Sequence, residues 1–225
     1  MSQPASLLDY ALDEIRSRIQ NGTYPPGHKL VTQEISDSLG ISRTPVVQAI
    51  NRLIAEGMAE SAPRRGTFVA QLSPKKIKNI LEIRYMIEMF TIKLAIKNLD
   101  YFPDTLTKMR ALAEEFPSIG ETEYARASEI DSKFHTLFVM LANNEQLTKM
   151  YQSNWSVGAT YYMYSLVKAP MTRHQKISND HLKLVELLAE RDENGIRKLL
   201  ENHMASPIEA VEWLIANDTD HIFIR

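Results

Sequence analysis

Four residues spread through the second half of this 225-residue chain have side chains suited to holding a metal ion: Asp131, His135, His181 and His203. Neutral imidazole and carboxylate suit zinc, nickel, iron or manganese, and a chain without cysteine offers no thiolate. Asp131 and His135 are spaced i, i+4 and so share one helix face, at the border of an apolar stripe of Ile130, Phe134, Leu137 and Leu141. His181 lies on a stripe with Leu184, Val185 and Leu188, and His203 on one with Ile196, Leu199 and Leu200. A turn is expected at Arg191-Asp192, ten residues after His181 and eleven before His203. At a rise of about 1.5 Å per residue, an antiparallel hairpin carries both imidazoles at similar heights. The pattern alone leaves two readings open, an Asp/three-His cage or histidines hydrogen-bonded inside an apolar core.

A second group lies near the N-terminus. Ser42 or Thr44 can cap a short helix with Pro45 in its first turn. A recognition helix offers such N-terminal residues to the DNA major groove. Arg43 can pair with a guanine edge, and Thr44 can bond a phosphate or base. Arg65 and Gly66, in a hairpin tip Pro63-Arg64-Arg65-Gly66, can reach the minor groove. Gln33 opens the preceding helix and is a further candidate contact. Arg52 either joins this surface or bridges helices.

The elements that must position these residues follow from periodicity. Leu8, Leu12, Ile15 and Ile19 predict a helix over 6–20; Thr32 is expected to cap a second, closed by Gly40; Val46, Ile50, Leu53 and Ile54 mark the third, ending at Gly57. Strands are expected at 58–62 and 67–70, and a linker from Gln71 to Pro74. Beyond it the periodicity predicts only helices, at 74–98, 103–116, 121–142, 145–167, 174–190 and 193–216. The expected architecture is mainly α. A winged helix-turn-helix spans 1–72, and an all-helical antiparallel bundle that carries the candidate metal residues spans 73–225.

The run PPGHKLVTQEISDSLGISRTPVVQAINRLIAEGMAESAPRRGTFV, residues 25–69, resembles the winged helix of the GntR family of bacterial regulators. The resemblance implies a DNA-reading surface of Gln33, Ser42, Arg43, Thr44, Val47, Gln48, Arg52, Arg65 and Gly66. One departure stands out: the family's Arg-Glu after Pro-Val is Val47-Gln48 here. Val47 cannot donate to a base or phosphate but can touch a thymine methyl, so a different operator is expected. The segments around Asp131-x-x-x-His135, His181 and His203 resemble the FCD effector-domain branch, whose metal-containing members use one aspartate and three histidines. That resemblance implies a divalent metal, zinc first, and a small organic carboxylate as effector. It also implies a homodimeric repressor acting on double-stranded operator DNA.

Arg84 falls on the apolar stripe of its helix, and a buried arginine needs an anion. A structural acid, an effector carboxylate and a reach to the DNA-binding domain all remain open. The aromatic group Tyr151, Trp155, Tyr161, Tyr162 and Tyr164 fits core or dimer packing, or a pocket wall. His28, His174 and His221 are placed in loops or at the tail.

Composition narrows the classes. A net charge of −2 argues against a non-specific nucleic-acid coat, and residues 1–72 carry seven bases and seven acids, so any DNA surface must be local. The N-terminal residues carry acids where an export signal carries bases, and no stretch approaches the roughly 20 apolar residues of a membrane span. A cytoplasmic protein without a membrane partner is expected. Two rivals stand beside the ligand-responsive regulator. One is a metal-dependent hydrolase with a DNA-binding module, which would need a general base beside the metal; no such glutamate or nucleophile motif is evident. The other is a regulator whose metal is structural only.

Overall fold

The computed structural model describes residues 6–71, 74–119, 124–155 and 172–216. The chain forms two compact units that divide between Ser73 and Pro74.

In the first unit, α1 (Leu7–Gln20) opens at Ser6, whose Oγ accepts the Asp9 N–H at 3.1 Å. Leu12, Ile15 and Ile19 are buried on one face and pack on α3 (Arg43–Ala55), whose Val46, Ala49, Ile50 and Leu53 form the opposing stripe. Between them α2 (Thr32–Leu39) ends at Gly40 in the left-handed conformation. Thr32 does not cap α2. The cap position belongs to Val31, and no side chain bonds there. Thr32 is instead the first residue of α2, so the helix starts one residue earlier than a cap at Thr32 implies; the backbone before it is extended, and Leu30 N–H donates to Thr67 O at 2.8 Å. Strands β1 (Ala59–Ala62) and β2 (Gly66–Val69) pair antiparallel, with Ala62 opposite Gly66 and Ala59 opposite Val69. Lys29 bridges Phe68, adding a short third ribbon to the free edge of β2.

Every regular element among the described residues of the second unit is helical. It contains α4 (Pro74–Asn98), α5 (Thr105–Glu115), α6 (Tyr124–Met140), α7 (145–155), α8 (Thr172–Glu190) and α9 (Glu193–Ala216). Single 3-10 turns, Leu99–Tyr101 and Phe116–Ser118, follow α4 and α5. Helix α4 packs on α6 and α9, α5 packs on α6 and α8, and α8 packs on α9. These contacts close a ring of five helices, and the site residues come from four of them. The α8–α9 turn is only Arg191-Asp192, with Arg191 at φ 57. The turn is tight: Asp192 Oδ1 accepts Gly195 N–H at 3.0 Å, and a Cβ at 195 would collide with the Asp192 carboxylate and with Leu187. Arg191 also donates to Ile96 O at 3.0 Å, tying the hairpin to the C-terminal end of α4. Tyr161, Tyr162, Tyr164, His221 and the expected helix beyond 155 lie outside the described residues. His174 falls within α8 rather than in a loop.

Candidate functional site

Helix α6 presents Asp131 and His135 one turn apart, and the α8–α9 hairpin brings His181 and His203 to the same level. One potential ligand atom from each of the four lies within 4.8 Å of all the others. His135 Nε2 is 3.1 Å from His181 Nε2, and Asp131 Oδ1 is 3.6 and 3.5 Å from those same two atoms. The site is shut from water, with His135 at 0% and His181 at 1% exposure. Phe134 stacks on His181 at a centroid distance of 3.9 Å and fixes its ring plane.

Two further carboxylates, which the sequence reading missed, stand behind the imidazoles. Asp180 Oδ2 lies 3.1 Å from His203 Nδ1. Glu88 Oε2 lies 3.2 Å from His135 Nδ1, at ion-pair distance though not aligned as a hydrogen bond. A carboxylate against one ring nitrogen holds the proton there and turns the other nitrogen's lone pair outward, the usual arrangement of a metal-bound histidine. Burial, joined by the nearby charge of Arg84, depresses the pKa of His135. Burial, reinforced by the neighbouring histidines, depresses that of His181 to about 3. Both imidazoles are therefore neutral at ordinary pH, as ligation requires. Three nitrogens and one carboxylate oxygen, converging in a dry pocket with second carboxylates behind, fit a divalent ion.

Arg84 is 1% exposed and sits beside this cluster. Its Nε donates to Glu88 Oε1 at 2.8 Å, its Nη1 to Asp131 Oδ2 at 3.2 Å, and its guanidinium lies 4.0 Å from the Trp155 ring centre. Tyr151 donates its hydroxyl to the same Glu88 Oε1 at 2.8 Å. Burial opposes the charge on Arg84, but the Glu88 and Asp131 carboxylates outweigh it and hold the guanidinium protonated. Burial likewise opposes the charge on Glu88 and Asp131. His135 and Arg84 outweigh it at Glu88, and Arg84 and His135 do so at Asp131, so both carboxyls stay below the usual range. Arg84 Nη2 is buried with no hydrogen-bond partner. With His135 and His181 neutral, the Glu88 and Asp131 carboxylates stand against the single guanidinium of Arg84, an excess of negative charge that a cation would balance. Tyr151 and Trp155 are core residues, and Tyr151 is also part of the polar network. The signal for Glu88 was its position four residues after Arg84, on the same buried stripe.

In the first unit, the exposed face of α3 carries Arg43, Thr44, Val47 and Gln48, next to exposed Ser42. Arg65 and Gly66 are exposed at the hairpin tip. Arg43 and Arg65 make no ion pair among the described residues. Arg52, although exposed, lies 3.4 Å from Glu56, which Arg16 also holds at 2.6 Å. Gln33 donates to Asp37 at 2.6 Å. Of the residues expected at the DNA surface, Ser42, Arg43, Thr44, Gln48 and Arg65 face outward with free polar groups, while Gln33 and Arg52 are already engaged.

Residues 79–206 match the FCD domain family, and residues 9–69 match the family described as bacterial regulatory proteins, gntR family. The HTH-type transcriptional regulator McbR of Escherichia coli (strain K12) is 27% identical over 199 residues, covering 87% of this chain and 88% of that protein. The Nta operon transcriptional regulator of Aminobacter aminovorans is 24% identical over 202 residues, 90% of this chain and 93% of that one. Among solved structures, E. coli McbR/YncC superposes with a TM-score of 0.81 at 22% identity, covering 94% of this chain and 99% of that chain. A putative GntR regulator from Rhodococcus sp. RHA1 follows at 0.75 and 18%, covering 91% and 96%.

Proposed function

Because the chain belongs to the GntR family of DNA-binding transcriptional regulators and carries an FCD domain, we propose that it is a metal-containing, ligand-responsive repressor. The observation that carries this reading is the buried Asp131–His135–His181–His203 cluster in the FCD unit, with carboxylates behind two of its imidazoles. These four residues would hold the ion, with zinc the ion proposed for a three-nitrogen, one-oxygen set. When bound, the ion supplies a Lewis-acidic anchor for a small organic carboxylate. Arg84 supports the same reading, because its Nη2 is an unused charged donor beside the cluster. Asp131 and Glu88 hold that guanidinium in place, and Phe134 and Trp155 help keep water out.

Binding of the acid would shift the protein between arrangements of different operator affinity. The protein would act as a homodimer, with two winged helices on two half-sites. Ile83, Met86 and Phe90 support this, since they leave an exposed apolar strip on α4, the helix that carries Arg84 and Glu88 on its other side.

The test is metal analysis combined with DNA titration, with and without a panel of small mono-, di- and tricarboxylates, on wild type and His203→Ala. The variant is expected to lose metal, unfold at lower temperature and stop responding to any acid, while still binding DNA through Arg43 and Arg65. A variant that keeps stoichiometric metal and a full response overturns the reading.

A further inference from the structure

The tip of the β1–β2 hairpin carries a cation that does not belong to the hairpin sequence. Lys29, more than thirty residues upstream, bridges Phe68 on the free edge of β2. The attachment is rigid. Gly27 N–H donates to Val69 O at 2.9 Å, Val69 N–H to His28 O at 2.8 Å, and Leu30 N–H to Thr67 O at 2.8 Å. From that anchor the Lys29 side chain lies over Gly66. A Cβ placed at Gly66 would stand 3.0 Å from Lys29 Cε and 3.7 Å from its Nζ. Gly66 is thus confined twice, by φ 115 and by the lysine stem above it.

The surroundings of that ammonium are basic. Arg64 and Arg65 are exposed beside Gly66, and Arg64 is held at φ 62, a conformation that is strained for a side-chain-bearing residue. Lys29, Arg64 and Arg65 form no ion pair with an acid among the described residues, whereas Arg16 and Arg52 of the same unit share Glu56. The nearest acid in the sheet register is Glu60, across Phe68 from Lys29. The remaining residues of 24–31 and 61–71 include no acid. Three unpaired cations held at one rigid tip would repel one another in the free protein, and a polyanion relieves that repulsion.

We infer that Lys29 contacts a DNA backbone phosphate, acting with Arg64 and Arg65 as one wing-tip clamp. Its compact ammonium, packed along backbone rather than projecting from the tip, is suited to a phosphate point charge and not to bidentate reading of a base. Lys29 should therefore add affinity and salt dependence without adding sequence preference.

The inference rests on the chain binding DNA, and the experiment separates the two. A duplex selected from random sequence by the wild-type protein and a shuffled duplex are titrated by fluorescence anisotropy over a salt series. The proteins are wild type, Lys29→Gln, Lys29→Arg and Arg43→Ala. Lys29→Gln keeps a stem over Gly66 but removes the charge. It should lower the magnitude of the slope of log K against log salt by about 0.9, weaken both duplexes by the same factor and leave the melting temperature unchanged. Lys29→Arg should restore the slope. Arg43→Ala should instead reduce discrimination between the duplexes. A Lys29→Gln protein with the wild-type slope, or one that loses discrimination instead of slope, overturns the inference while the DNA reading stands. A wild type that binds neither duplex at low salt overturns both.

Discussion

The two units dispose of their charges in opposite ways. Among the described residues, the winged unit buries no ionisable side chain; Ser36 is its one buried polar residue. Its unpaired arginines, Arg43, Arg64 and Arg65, face solvent. The helical unit buries Arg84, Glu88, Asp131, His135, His181 and His203 together. An outward charge is cheap to keep and can be exchanged, residue by residue, to suit a different DNA sequence. A buried network is stable only when each member has its partner, so its residues are tied to one another. One unit holds its charges open to solvent, and the other closes its charges in among themselves.

The strongest way to break this contrast is to remove a partner from the enclosed network. Glu88→Ala takes away the acceptor shared by Arg84 and Tyr151 and the carboxylate behind His135. It should destabilise the helical unit by about 3–5 kcal/mol, read as the shift in its denaturant-unfolding transition. A loss below about 1 kcal/mol would mean that the network behaves like a surface ion pair.

Acidification should come next in size. His181 is held neutral, its pKa lowered from 6.5 to about 3 by burial first and by the other histidines. As pH falls, the unfolded chain takes up that proton before the folded one does. The stability is thus fully present above about 6.5 and is lost progressively as pH falls from there toward 3. Glu88 and Asp131, both held below the usual carboxyl range, add a second loss below about 4. Denaturation of metal-free protein at a series of pH values should show the decline beginning above pH 5. A profile flat down to pH 5 would show His181 to be as free to protonate as a surface residue.

The smallest effect belongs to the open side. Val47 is 43% exposed on the α3 face that carries Arg43 and Thr44. Val47→Arg should leave stability within about 0.5 kcal/mol, steepen the salt dependence of DNA binding by about 0.9 and alter the sequence chosen in a binding-site selection. An unchanged selected sequence would place position 47 away from DNA.

The same contrast explains what could be read from the amino acids alone. The α3 face is contiguous in sequence, so Ser42, Arg43, Thr44, Val47 and Gln48 identify themselves through one local motif and one helical period. Asp131 and His135 were legible for the same reason, being one turn apart. Pairing His181 with His203 needed only the position of a two-residue turn. Glu88 was harder to see, because Arg84 and Glu88 at i, i+4 have the spacing of an ordinary solvated salt bridge. Only packing against α6 and α7 shows that both point inward. Asp180 has no apolar stripe to mark it, and Tyr151 looked like a core aromatic because periodicity reports where a ring goes and not what its hydroxyl meets. The earlier start of α2 accompanies a Leu30–Thr67 hydrogen bond to β2, a contact no local pattern encodes. Lys29 likewise acquires its place at the hairpin tip from pairing with a strand far along the chain.

The two-residue turn between α8 and α9 also bears on the order in which the cluster assembles. His181 and His203 are 22 residues apart, whereas Asp131 and His203 are 72 apart. Closure entropy grows with the logarithm of the intervening chain, so bringing His203 to His181 first is easier than bringing it to Asp131 first by about 1 kcal/mol. The hairpin needs only local contacts, and local contacts form fastest. The folding chain thus presents two imidazoles side by side before α6 arrives with its aspartate and third histidine, and an ion captured by that half-formed pair would pull the remaining helix into register.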